Sequence, residues 1–232
     1  MPRTVAIVTK LAVSAVVAAS VATGVMLVLA PSRVQSTGPA AAASLSPGED
    51  TIIPGQPAAV LSGMKIRPFR LIDQDGKVVD ETIFDGKWSI IDFFFTRCPG
   101  PCPTMTTEMR RIQQELAGTG VQFISFSVDA EYDAPGVLRS YAESHDADLS
   151  NWTFITGDPA QIEAMMTEGL GFAFERDGSA PVTLSNGEQG DNILHPTHLV
   201  LIAPDRRVLA LAAVGNHEHI QLLVEGVRRL AK

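Results

Sequence analysis

The hydrophobic positions of this chain fall into blocks of different character. Residues 11–30 form one uncharged run of 20 residues, dominated by Ala, Val and Leu. That length spans a bilayer as a helix. Residues 31–60 are rich in Ala, Pro, Ser and Gly without any period, which predicts a tether. The pattern of a folded domain starts near Lys65. Residues 69–72 and 77–79 read as short strands around the turn Asp73-Gln74-Asp75-Gly76, a hairpin. Residues 90–95 read as a buried apolar strand. Residues 104–116 carry Met105, Met109, Ile112 and Leu116 at helical spacing. Residues 121–128 run apolar, as a buried parallel strand does. A helix over 134–145, a strand over 152–156 and a helix over 159–169 follow. Residues 173–194 are polar and Gly-containing, an insertion with a candidate strand at 182–184. Two strands, 199–203 and 208–214, flank the turn Pro204-Asp205-Arg206-Arg207, and residues 220–230 close the chain as an amphipathic helix.

This order of elements predicts an α/β fold: a thioredoxin-like central sheet flanked by helices, with an N-terminal hairpin and an insertion before the penultimate strands. The expected domain organisation is a cytoplasmic N-terminus (1–10), a transmembrane anchor (11–30), a flexible tether (31–64) and the folded domain (65–232). Arg3 and Lys10 precede the apolar run, so the N-terminus stays cytoplasmic and the rest crosses the membrane. A cleaved signal sequence is the alternative, with Ala40-Ala41-Ala42 as its cleavage site; the apolar region of such a sequence is usually shorter, ~7–15 residues. No cysteine follows the apolar run to carry a lipid, and the two cysteines present lie far downstream.

Composition adds bounds. The chain has 232 residues, 45% hydrophobic and 19% charged, enough for one sizeable core plus an appendage. Residues 1–48 hold three basic residues and no acid, which leaves 15 basic against 26 acidic residues downstream, a net of −11. An acidic domain is a poor partner for nucleic acid. It does not repel metal ions or a cationic partner.

The candidate chemistry sits in Phe95-Thr96-Arg97-Cys98-Pro99-Gly100-Pro101-Cys102-Pro103, which holds both cysteines of the protein. Pro103 suits the first turn of a helix. Both sulfurs therefore stand where a buried strand ends and a helix begins, and the helix N-terminus favours thiolate. Residues four apart on a helical turn are roughly 6 Å apart at Cα, close enough for a disulfide or a shared metal. A structural disulfide in an exported protein is the plain alternative. A loop this short would stabilise little as a staple. The carboxyl end of a strand is also where α/β folds place their chemistry.

The same run resembles the F-x-x-T-x-C-P-x-x-C-P motif of the Sco/SenC family. The flanking segments Phe69–Gly76, Gly86-Lys87, Ser127-Val128-Asp129 and Trp152–Gly157 resemble it too, and the resemblance extends from about Lys65 to the C-terminus. It implies a membrane-tethered, thioredoxin-like domain exposed outside the cytoplasm, in the periplasm or its equivalent. It implies a metallochaperone that binds copper and delivers it to the binuclear copper centre of cytochrome c oxidase, or reduces the cysteines there. The implied ligands are Cys98, Cys102 and His195, the last because it lies nine residues before Pro204. Cys98 and Cys102 are also the implied redox pair. The copper-bearing oxidase subunit, or another exported thiol protein, is the implied partner.

Two thiolates and an imidazole suit Cu(I), and hold Cu(II) with one more oxygen or nitrogen ligand. Zinc accepts the same set. His198 is the competing third ligand; in an extended strand its odd spacing from His195 turns it to the other face. His217 and His219 are expected in a solvated loop before the last helix, Met105 in the core, and His145 has no assigned role. Asp129 matches a family acid near the site, or else serves a turn or a helix cap before Ala134. Two positions depart from the pattern. Leu194 stands where an acid commonly precedes the histidine, and Pro196-Thr197 follows it, as in the proline loops of thiol reductases. A metal-free thiol–disulfide oxidoreductase acting on exported proteins therefore stands as the alternative function, and a binding module with a structural disulfide as the third.

Overall fold

The computed structural model describes residues 52–231. The expected anchor, 11–30, lies outside them, and among the described residues no helix is long and apolar enough to cross a membrane. The elements are α1 (Ala58–Gly63), β1 (Arg70–Asp73), β2 (Val78–Asp80), β3 (Ser89–Phe94), α2 (Cys102–Glu115), β4 (Gln122–Ser127), α3 (Pro135–Ser144), β5 (Trp152–Thr156), α4 (Pro159–Ala164), β6 (Glu175–Thr183), β7 (Gln189–Leu194), β8 (His198–Ile202), β9 (Val208–Ala213) and α5 (His217–Leu230).

Seven strands form the main sheet in the order β2-β1-β5-β4-β3-β8-β9. The centre, β3, β4 and β5, is parallel. Helices α2 and α3 make its crossovers, as parallel neighbours require. The outer strands run antiparallel: β1 on β5, β8 on β3. The pattern of apolar runs explains the order. All six residues of β3 are buried, as is most of β4, so these strands need cover on both faces and take the middle. β9 alternates buried and half-buried positions and lies at an edge. Phe93 of β3 stacks on Phe126 of β4 with centroids 5.6 Å apart, and Phe123 of β4 lies against Trp152 of β5 at 6.0 Å, tying the three parallel strands together. The architecture is the thioredoxin-like layer expected from the sequence.

Three regions differ from the sequence reading. Residues 52–63, assigned there to the tether, pack on the domain. Ile52, Ile53 and Leu61 are buried, and α1 lies against β9. The Gln56 side-chain amide also pairs with the edge strand: Leu211 N–H donates to Gln56 Oε1 at 3.0 Å, and Gln56 Nε2 donates to the Leu211 carbonyl. The polar insertion is a β-hairpin, β6–β7, in a two-stranded sheet of its own. Its strands are mostly exposed, so they lack the apolar alternation by which a half-buried strand is read. Finally, α5 starts at His217 with Asn216 as its cap, whose side chain accepts from His219 N–H, so His217 and His219 lie in the helix and not before it.

Candidate metal centre

The site stands at the carboxyl end of β3. The chain leaves that strand through Phe95, turns at Cys98, whose N–H donates to the Phe95 carbonyl at 3.2 Å, and enters α2 at Cys102. Asp133, fully buried, pins this turn. It accepts from Thr96 N–H at 3.0 Å, Thr96 Oγ1 at 2.5 Å and Ser127 Oγ at 2.5 Å. Burial pushes its own pKa up, against those hydrogen bonds. β8 runs beside β3, so the loop ahead of β8 hangs over the cysteines and brings His195 to them.

The donor atoms of Cys98, Cys102 and His195 all lie within 4.8 Å of one another. Among the described residues they are the one group of three or more His, Cys, Asp or Glu side chains so placed. Cys102 Sγ is 3.3 Å from His195 Nε2, and His195 Nδ1 is 3.1 Å from the Pro196 carbonyl. A carbonyl only accepts, so this contact assigns the proton to Nδ1 and leaves Nε2 a bare lone pair facing the sulfurs. The Phe95 ring meets the imidazole edge-on at 5.9 Å. Both cysteines are free and buried, Cys98 4% exposed and Cys102 fully enclosed, while His195 is half-buried.

The two thiols are unequal. Cys98 is held well below the ordinary thiol range, first by a hydrogen bond from the Cys102 thiol, then by the backbone N–H groups of Cys102 and Gly100. Cys102 is pushed up by that same bond and by its burial. One proton is thus shared by the pair and sits on Cys102. The helix N-terminus acts here on Cys98 through one of its free N–H groups, that of Cys102; the sequence reading expects thiolate to be favoured at both sulfurs, and Cys102 instead keeps its proton.

The other candidates fall elsewhere. Met105 is fully buried. His198 stacks on Phe172, 6.1 Å between centroids, away from the cysteines. His145 caps α3 and stacks on Tyr141 at 4.1 Å. Asp129 opens the turn expected before Ala134, its carbonyl accepting Tyr132 N–H at 3.0 Å and Asp133 N–H at 2.9 Å, and its side chain is not among the clustered donors. Its buried carboxylate is gripped by Arg97 at 2.7 Å and Arg176 at 3.4 Å. Arg97 also lies over the Tyr132 ring, 3.7 Å from its centroid. Sequence reasoning missed Asp92, on β3 behind the cysteines. It is 1% exposed, its Oδ1 has no hydrogen-bond partner, and burial raises its pKa to about 6. The signal available was an acid inside an apolar run.

A parallel-centred α/β layer with two cysteines and a histidine converging at the carboxyl end of its middle strand defines a class: thioredoxin-like proteins that handle soft metals or thiols. The family model described as SCO1/SenC matches residues 61–232. The chain belongs to the SCO1/SenC family. It is 34% identical over 148 residues to a SCO1 protein homolog of Bacillus subtilis, covering 62% of this chain and 72% of that one. The structure of Bradyrhizobium japonicum ScoI with copper bound superposes with a TM-score of 0.59 at 25% identity, over 72% of this chain and 99% of that one. A structure of BsSco, described as showing a disulfide switch in a member of the Sco family of cytochrome c oxidase assembly proteins, gives 0.58 at 29% identity, over 73% and 95%.

Proposed function

We propose that this protein binds copper through Cys98, Cys102 and His195 and delivers it to the binuclear copper centre of cytochrome c oxidase, from a domain tethered outside the cytoplasm. The observation that carries the reading is the convergence of two sulfurs and one bare imidazole nitrogen within 4.8 Å. Two soft sulfur donors with an imidazole match Cu(I) better than any hard cation. Cys98 is ready as a thiolate; Cys102 gives up its proton on binding, so uptake releases a proton and tightens as pH rises. The tether rests on residues 11–30 and 31–51 of the sequence. Copper titration of the reduced, detergent-solubilised chain tests the reading. One tightly held ion per chain is expected, strongly weakened by His195→Ala and abolished by Cys98→Ser or Cys102→Ser. Unchanged affinity in His195→Ala sinks the three-ligand site.

A second reading is favoured by the inequality of the thiols. Cys98 thiolate can attack a client disulfide, forming a mixed disulfide and releasing one client thiolate. Cys102 then passes its proton to His195 Nε2 and attacks Cys98 Sγ, closing the Cys98–Cys102 disulfide and freeing the second client thiol. Two electrons move from this pair to the client. Turnover of a model disulfide by a reduced protein without copper affinity would select this reading over the first.

A further inference from the structure

The His195 arm of the site is attached to the domain in an unusual way. β6 and β7 pair only with each other, and a lone two-stranded hairpin is marginal in water. Few of its apolar side chains are buried, chiefly Leu184 and Ile193. Yet His195 follows directly on the end of β7. The fixings are polar, and the two ion pairs shielded from solvent converge on one carboxylate, while Arg97 also reaches the exposed Glu188 of the hairpin at 3.3 Å. Arg176, on β6 opposite Ile193, donates to the Val128 carbonyl at 2.9 Å and reaches Asp129 Oδ1 at 3.4 Å. Arg97, the residue before Cys98, donates to Asp129 Oδ2 at 2.7 Å, and its carbonyl accepts Ser185 N–H from the hairpin turn at 3.0 Å. The Asp129 side chain is 4% exposed, so both ion pairs are shielded from solvent at the acid.

We propose that Asp129 is a positioning residue for the third metal ligand. Its carboxylate joins the cysteine arm, through Arg97, to the histidine arm, through Arg176, and so fixes the separation between the two. Without it the hairpin keeps its small apolar contact, the two bonds to the Val128 and Arg97 carbonyls and the exposed Arg97–Glu188 pair, but the two arms lose their shared buried anchor, and His195 Nε2 drifts from Cys102 Sγ. The inference rests on the copper reading for its metal-bound consequence and not for its structural one.

The test compares wild type, Asp129→Asn, Arg176→Gln and His195→Ala in the detergent-solubilised full chain. Loss of an outer partner of a metal ligand costs about 10–100-fold in affinity. That loss is expected in both Asp129→Asn and Arg176→Gln. Electrostatics alone would act oppositely in the two, since removing a cation near the site tightens copper; tighter binding in Arg176→Gln overturns the proposal. In the His195→Ala background Asp129→Asn should cost nothing further. An equal cost there overturns the proposal as well, because a loss that ignores His195 is general. A metal-free arm follows hydrogen exchange in reduced protein. The Ser185 amide and the β6–β7 pairing amides should exchange faster in both clamp variants, with β3 and β4 amides unchanged. Wild-type protection of the hairpin in both variants overturns the clamp. A wild type that binds no copper defeats the copper reading alone, and the exchange arm then decides the role of Asp129. If Asp129→Asn fails to fold, Arg176→Gln carries the same comparisons.

Discussion

At the scale of single residues, protons decide the chemistry. The proton shared by the cysteines sits on Cys102, and Cys98 is charged far below the ordinary thiol range. Limited alkylation of the reduced native protein should therefore label Cys98 first. Its rate should stay nearly flat from about pH 8 to 6, where an ordinary thiol slows by roughly two orders of magnitude. Peptide mapping by mass spectrometry reads both; first labelling at Cys102, or a steep fall, contradicts the assignment. Asp92 titrates in the opposite sense. Burial raises its folded-state pKa to about 6 from 3.8, so the folded chain holds a proton that the unfolded chain releases. The contribution of Asp92 to stability is then neutral below about pH 4, turns unfavourable as pH rises to about 6, and stays so above, by about 3 kcal/mol. Asp92→Asn should raise the melting temperature near pH 7.5 by several degrees, with the gain gone near pH 4. Calorimetry at the two pH values checks this; a variant melting lower at both has lost a structural carboxylate.

At the scale of elements, what could be read in the sequence followed from where apolar residues lie. The strands β3, β4, β5, β8 and β9 are apolar in the sequence because they are covered on one or both faces, and α2 shows its buried stripe. The turn with two cysteines was visible because proline and helix-forming residues follow it directly. The β6–β7 hairpin was not, since it faces water and its register shifts between Asp177 and Val182. The Arg97–Asp129–Arg176 clamp was not either. Its members are 32 and 47 residues apart, and no local pattern signals such a contact. Residues 52–63 carry three buried aliphatic side chains in a run of Ala, Pro and Ser, too few for a period. One glycine records how closely they dock. A Cβ on Gly226 of α5 would lie 2.5 Å from Ile52 Cγ2. Gly226→Ala improves helix propensity by about 1 kcal/mol. The overpacking costs typically 1–3 kcal/mol, so a net loss is expected, with residues 52–63 loosened first. Denaturant unfolding together with proteolysis near residue 57 reads it; a more stable variant with an unchanged N-terminal segment refutes the close fit.

At the scale of the whole molecule, the packed domain already includes residues 52–63, ahead of the point near Lys65 where its apolar code begins. A soluble form starting at residue 65 loses Ile52, Ile53 and Leu61 from the core, each worth roughly 1.5–3 kcal/mol on full burial. It should melt well below a form starting near residue 49, although both keep all three donor residues. Equal melting temperatures would mean that the segment is passenger rather than part of the fold.

The Gln56 amide bound to Leu211 gives that boundary a second meaning. β9 is the last strand of the sheet, and its free edge offers unused donors and acceptors to any extended peptide. Gln56 answers one such position with a side chain shaped like a peptide group, and a side chain cannot pass the pairing on to a next strand. Growth of the sheet from molecule to molecule stops there. Solutions of the shortened form should therefore cloud on concentrating while the longer form stays clear, a difference of colloidal behaviour from chains with the same metal-binding residues.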